Sequence, residues 1–173
     1  HHMFMTGMGT VLSTFFQTTT MIISIPSVII LTALFISLWG ASIRFTTPML
    51  FALAFLPMFA IGGLTGLPLG LAPADIHLRD TMYVIGQFHY VVAPGTIVAI
   101  FAGIYYWFPK LTGRKMSDLL GKIHFWPSFL FMNGIFFPML IQGLAGVQRR
   151  LYDGGASYSH AQPVLHWNAF MSI

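Results

Sequence analysis

Four long apolar runs, each wide enough to cross a bilayer, constrain this chain more than any other feature of it. A spanning helix takes about 20 mostly apolar residues, and hydrocarbon tolerates no unpaired backbone, so runs of this kind fold as helices. They extend from about Val11 to Gly40, Pro48 to Leu71, Thr81 to Pro109 and Ser117 to Val147, and a fifth begins near His160. The charged residues, 8 Lys+Arg and 4 Asp+Glu, all fall at or between the runs, as the cost of burying charge in lipid demands. Prolines 26, 57, 68, 94, 127 and 138 lie inside the runs, where neighbouring helices can satisfy the carbonyls they free. The pattern predicts an all-α, polytopic transmembrane helical bundle with four complete spans plus the start of a fifth. No repeat or linker divides residues 1–173, which are expected to be part of one transmembrane domain. A start at His1-His2 without Met, and an end at Ile173 inside an apolar run, lead us to expect truncation at both ends.

Composition narrows the chemistry. Only 7% of the 173 residues are charged, against about a quarter in a soluble domain, and the net +4 forms no basic stripe for nucleic acid. No cysteine is present, which excludes disulfides, thiolate-held iron-sulfur clusters and thioether-attached haem. Histidine is the remaining strong transition-metal ligand.

Charge also predicts sidedness. The turns after the first and third runs hold Arg44, Lys110, Arg114, Lys115 and Lys122, whereas Arg79, Arg149 and Arg150 belong to the other side. The more basic side is expected to be cytoplasmic, with Trp39, Tyr105, Tyr106, Trp107 and Trp126 as an aromatic belt at its edge.

Five constellations carry chemical possibilities. His1-His2 can share one metal only if the backbone there is irregular; a chance pair or a tag remnant is the bland alternative. Gln87 and His89, two residues apart on a helix, are separated by about 200° and so address different neighbours, either two cofactors or simply two helices. Arg149-Arg150 suits a carboxylate or a lipid phosphate equally. Arg79-Asp80 is either an ion pair or, through Asp80, a ligand for a hard cation such as magnesium. Ser13, Gln17, Thr20, Ser24 and Ser27 share one helix face, which serves either a proton path or helix packing.

The stretches HHMF, MIISIPS, RDTMYVIGQFHYVVAPGTIVAIFAGIYYWFPKLTGRKM and LGKIHFWPSFLFMNGIFFPMLIQGLAGVQRRLYDGG, in this order, resemble subunit I of the cytochrome c oxidases, a haem-copper oxidase family. The resemblance spans essentially the whole chain. It implies a respiratory terminal oxidase that reduces dioxygen to water and translocates protons, in the bacterial cytoplasmic membrane or the mitochondrial inner membrane. Two haems of the a type, copper and magnesium are the implied cofactors. Lipid, subunits II and III, and cytochrome c (or quinol) as electron donor are the implied partners. By the same resemblance His1 and His2 match two copper ligands, His89 an axial ligand of the low-spin haem, Arg149 and Arg150 the grip on haem propionates, and Asp80 a magnesium ligand.

Three positions depart from the family pattern. Gln87 stands where the family has the axial histidine of the high-spin haem, Arg79 where a histidine precedes the magnesium aspartate, and Ile30 where one proton pathway has its lysine. Of that pathway the stripe through Thr20, Ser24 and Ser27 remains. This chain alone is expected to be inactive. The competing expectations are a decayed homologue retaining only the low-spin haem site, which Gln87 favours, and a nitric oxide reductase, which the wording around FHYVVAPG disfavours.

Overall fold

The computed structural model describes residues 2–173, and they are helical almost throughout. Helix α1 is Gly9–Leu38, α2 is Thr47–Gly66, and a short α3 is Ala72–Leu78. The third span, Met82–Thr112, is continuous but built of three pieces. These are α4 (Met82–Val92), a π-helical turn over Ala93–Val98, and α5 (Ala99–Thr112). Helix α6 is Asp118–Leu144, and α7 is Gln162–Met171 after a 3-10 turn at Ser159–Ala161. Four of these helices are long and apolar enough to cross a membrane, and the expected fifth begins where the sequence placed it.

Local chemistry explains the boundaries. Hydroxyls cap two spans: Thr81 accepts from the Tyr83 N–H and Ser117 from the Leu120 N–H. Gly113 adopts φ +70 to end α5, the left-handed conformation that glycine reaches without strain. Pro94 has no N–H to donate back along the helix, and the turn widens around it instead of breaking. Prolines 26, 57, 127 and 138 lie within α-helices as expected. Pro68 does not: α2 stops at Gly66, and Pro68 opens a 3-10 turn that leads into α3, an element the hydropathy pattern did not separate from the loop.

The bundle is organised around α4. Leu140 of α6, Phe51 and Met58 of α2, and Tyr83 and Tyr90 of α4 belong to one buried cluster. Small residues let the backbones close in, since a Cβ added at Gly62 would meet the Tyr90 and Val91 backbone at 2.9 Å. At Gly143 an added Cβ would collide with the backbone of Tyr83. Tyr90, fully buried, donates to Asn133 Oδ1 (3.0 Å), and the Tyr83 hydroxyl donates to the Thr65 carbonyl (2.9 Å). Helix α1, in contrast, contributes no buried residue and leans on α2 and the Pro68 turn.

The two ends of the bundle hold the charges as two separate groups. At one end Thr47 of α2 donates through its N–H (3.1 Å) and hydroxyl (2.9 Å) to Asp118 of α6, joining the Arg44 turn to the Lys110–Lys115 turn. At the other, the Met82 N–H donates to the Val147 carbonyl (2.9 Å) and the Arg149 N–H to the Asp80 carbonyl (2.8 Å). Trp39, Tyr106, Trp107 and Trp126 are exposed at the first end, as a belt requires. Tyr105 departs from that expectation. It turns inward, stacks on Phe51 at 5.7 Å and shares a 3.1 Å hydrogen bond with His124 Nδ1.

Candidate functional site

Three segments distant in sequence meet where the α3–α4 turn touches the chain after α6. Asp75, in the first turn of α3, is 2% exposed, and such a carboxylate needs a cation beside it. Arg79, one turn on, supplies it through Nε (2.9 Å) and Nη2 (2.6 Å) to Oδ2. The guanidinium has donors left over, and Nη1 donates to the backbone carbonyl of His2 at 2.7 Å. Asp80, whose φ of +61 turns the chain sharply, pairs instead with Arg149 Nη2. The sequence-adjacent Arg79-Asp80 ion pair is therefore replaced by two crossed pairs. A cavity of about 230 Å³ opens between them, lined by His2, Asp75, Arg79, Asp80, Gln87 and Arg149 among others. Arg149 Nε is buried and has no acceptor among the described residues. Arg150, with φ +61, is exposed and does not line it. His1 lies outside the described residues.

Gln87 and His89 leave α4 toward different neighbours. The Gln87 amide reaches α2, donating to the Gly62 carbonyl at 3.2 Å and occupying the space beside Gly66, where an added Cβ would meet its Nε2 at 2.9 Å. The His89 ring lies against Phe136 of α6, centroids 4.7 Å apart and 20° from parallel. Its Nδ1 is 2.7 Å from the Ile85 carbonyl, which assigns the proton to Nδ1 and leaves Nε2 as a lone-pair donor. The π turn that follows keeps the helix continuous one turn beyond this histidine.

On the face of α1, Ser13, Gln17, Thr20 and Ser24 are half-buried and Ser27 is exposed. Three of them bond locally: Gln17 donates to Ser13 Oγ (3.4 Å) and Ser24 to the Met21 carbonyl (2.6 Å).

A histidine-bearing helix beside Arg149 meets a likeness in sequence. The family model for cytochrome c and quinol oxidase polypeptide I matches residues 1–173. The chain belongs to that family. It is 45% identical over 174 residues to the alternative cytochrome c oxidase subunit 1 of Bradyrhizobium diazoefficiens, covering 100% of this chain and 29% of that protein. It is 47% identical to cytochrome c oxidase subunit 1 of Synechocystis and 43% to that of Thermostichus vulcanus, in each case over 88% of this chain and 28% of the relative. The chain thus spans less than a third of the length of these relatives.

Membership in the haem-copper oxidases makes this an integral membrane segment of an oxidase subunit, with haem and copper as the cofactors the family implies. The residues present fit those groups unequally. His89 offers a free imidazole nitrogen with its other nitrogen already anchored, the arrangement that orients a metal-ligating histidine. Arg149 offers a buried, unpartnered N–H suited to a carboxylate. Gln87 does not fit as an iron ligand: an amide is a weak donor, and this one is turned to α2. Asp75 and Asp80 each face a guanidinium, and the described residues hold no group of three His, Cys, Asp or Glu side chains.

Two features escaped the pattern of the sequence. The Asp75–Arg79 pair is signalled only by an i, i+4 spacing in the stretch between two apolar runs. His124, packed among Phe51, Phe101 and Tyr105, is an ionisable residue inside a span, and that alone marks a position for attention.

Proposed function

We propose that this chain is a segment of the catalytic subunit of a respiratory terminal oxidase that reduces dioxygen to water with electrons from cytochrome c and couples this to proton translocation. The observation that carries the reading is the anchored His89, whose Nδ1 is held 2.7 Å from the Ile85 carbonyl while Nε2 is left to bind iron. When bound, the low-spin haem supplies one-electron transfer. The chain's own residues orient and balance it: Phe136 holds the His89 ring flat against α6, and Arg149, with Arg150 beyond it, neutralises carboxylates at the outer end. His1 and His2, with a histidine contributed from outside this chain, are the proposed copper ligands. Thr20, Ser24 and Ser27 form the proposed proton path, subunits II and III the proposed protein partners, and the cytoplasmic side is that of Arg114. A magnesium role for Asp80 rests on the family resemblance alone, since Arg149 already pairs with it.

Substituting His89→Ala in a complete subunit carrying this sequence tests the reading. We expect loss of the low-spin haem absorbance, with rescue by exogenous imidazole; an unchanged spectrum would overturn it. A second reading, an oxidase homologue that keeps only the low-spin haem site, is favoured by the engagement of Gln87 with α2.

A further inference from the structure

Helix α6 carries two prolines, and each removes one donor from its backbone ladder. Pro138 is buried, and its missing N–H is the one that would serve the carbonyl of Gly134, one turn back. Gly134 lies about 24 Å along the span from Asp118 at 1.5 Å per residue, where hydrocarbon offers no donor and a neighbouring helix has to supply one. Helix α7 does so: the Trp167 indole Nε1 donates to the Gly134 carbonyl at 3.2 Å. An indole N–H donates and never accepts, which matches it to a carbonyl that has lost its helical partner. Glycine at 134 belongs to the same fit. A Cβ added there would collide with Met171 Cε, one turn beyond Trp167, so the absence of a side chain lets α7 close on the carbonyl. Nearer the outer end, fully buried Gln142 of α6 donates to the Val164 carbonyl (3.1 Å), and His160 Nε2 lies 2.9 Å from the Ala145 carbonyl. These contacts descend in antiparallel order, His160 with Ala145, Val164 with Gln142 and Trp167 with Gly134.

We propose that Gly134 and Pro138 form a docking notch on α6, a carbonyl released by the proline and uncovered by the glycine, and that its occupant is the Trp167 indole of α7. The notch sets the register of α7 on α6 at the deepest of the three contacts. It also makes the two helices depend on each other, because α6 without α7 holds a carbonyl inside the bilayer that neither its own backbone nor lipid can satisfy. Apolar packing alone would not select this register, since lipid competes with it on equal terms. A phenylalanine in place of Trp167 would keep an aromatic ring at the contact and lose the donor.

The test is a double-mutant cycle in a complete subunit carrying this sequence, unfolded in mixed micelles. Trp167→Phe should raise the unfolding equilibrium constant about 3- to 15-fold, the range that an interhelical hydrogen bond in a membrane supplies. Pro138→Ala returns an N–H to the Gly134 carbonyl from within α6. In that background the same Trp167→Phe change should raise the constant by less than half the factor seen with Pro138 present, because the carbonyl no longer needs the indole. Equal factors in the two backgrounds would overturn the proposal, since the indole would then act by packing alone. Pro138 is buried, so Pro138→Ala can fail to fold. Ultraviolet resonance Raman then decides, as the difference between the unsubstituted subunit and Trp167→Phe. A Trp167 signal characteristic of a hydrogen-bonded indole N–H is the expected result, and the signal of a free indole N–H would refute the notch.

Discussion

Helix α1 and the third span are both apolar and long, yet within this chain they pack to different extents. The most apolar window of α1 has a mean hydropathy of 2.5 and is 0% buried, whereas that of Met82–Thr112 has 1.7 and is 17% buried. In water the order would be reversed. Lipid is as apolar as leucine, so hydrophobicity does not draw a helix into the bundle; close backbone approach and interhelical hydrogen bonds do. The third span has both, from the glycines of α2 and α6 that face it and from Tyr83, Tyr90 and Gln87, which bond across to neighbours. The hydrogen bonds made by Thr14, Gln17 and Ser24 of α1 stay within that helix.

Breaking the close approach should have the largest effect. Gly143→Val puts branched carbons where the Tyr83 backbone already is, and unlike a flexible side chain that backbone cannot move aside. We expect a loss of about 3 kcal/mol or more and little assembled protein, measured as folded yield in detergent. Near-normal yield would mean that α4 and α6 can part without cost.

Tyr90→Phe is a smaller perturbation of the same contact. It deletes the hydroxyl that donates to Asn133 Oδ1, and interhelical hydrogen bonds in membranes are worth about 0.6 kcal/mol on average and up to about 1.7. Unfolding in mixed micelles should register a loss of about 1 kcal/mol. On α1, Ile29→Ala should cost less than about 0.5 kcal/mol in this chain, since Ile29 is 62% exposed. A cost like that of a core residue in the complete subunit would show that other parts of the subunit cover this face of α1.

The smallest effect is expected outside the bundle. Asp153 accepts from the Ser157 hydroxyl (2.5 Å), the Gly155 N–H (3.0 Å) and the Ser157 N–H (3.0 Å), and these donors hold its carboxyl below the ordinary value of 3.8. Because the folded pKa is depressed, the loop's extra stability is present above that ordinary value and is lost as pH falls through the lower folded one. Amide exchange at Gly155 and Ser157, corrected for the intrinsic rate, should therefore quicken only at the acid end. Asp153→Asn should remove that pH dependence while leaving the spans intact.

Much of this was legible in the sequence. The four spans, the division of charges between two ends and the opposed directions of Gln87 and His89 follow from hydrocarbon's intolerance of charge and from 3.6 residues per turn. The boundaries shifted by a few residues, for instance from Val147 back to Leu144. What the pattern missed depends on partners that sequence distance conceals. Tyr105 has the composition of a belt residue, and only the proximity of His124 turns it inward. Arg79 and Asp80 are neighbours in the chain, but the left-handed turn at Asp80 sends one to Asp75 and the other to Arg149. Pro94 marks a disturbance without saying whether the helix bends, breaks or widens.

The proposed function divides the two sides of α4: His89, anchored through Nδ1 at the Ile85 carbonyl, is the proposed iron ligand, whereas Gln87 donates to the Gly62 carbonyl of α2. Carbon monoxide titration of a reduced, complete subunit carrying this sequence tests it most directly. We predict a low-spin haem spectrum with carbon monoxide binding far below one per subunit, restored together with oxygen consumption by Gln87→His. Stoichiometric carbon monoxide binding and ordinary turnover in the unsubstituted protein would contradict it.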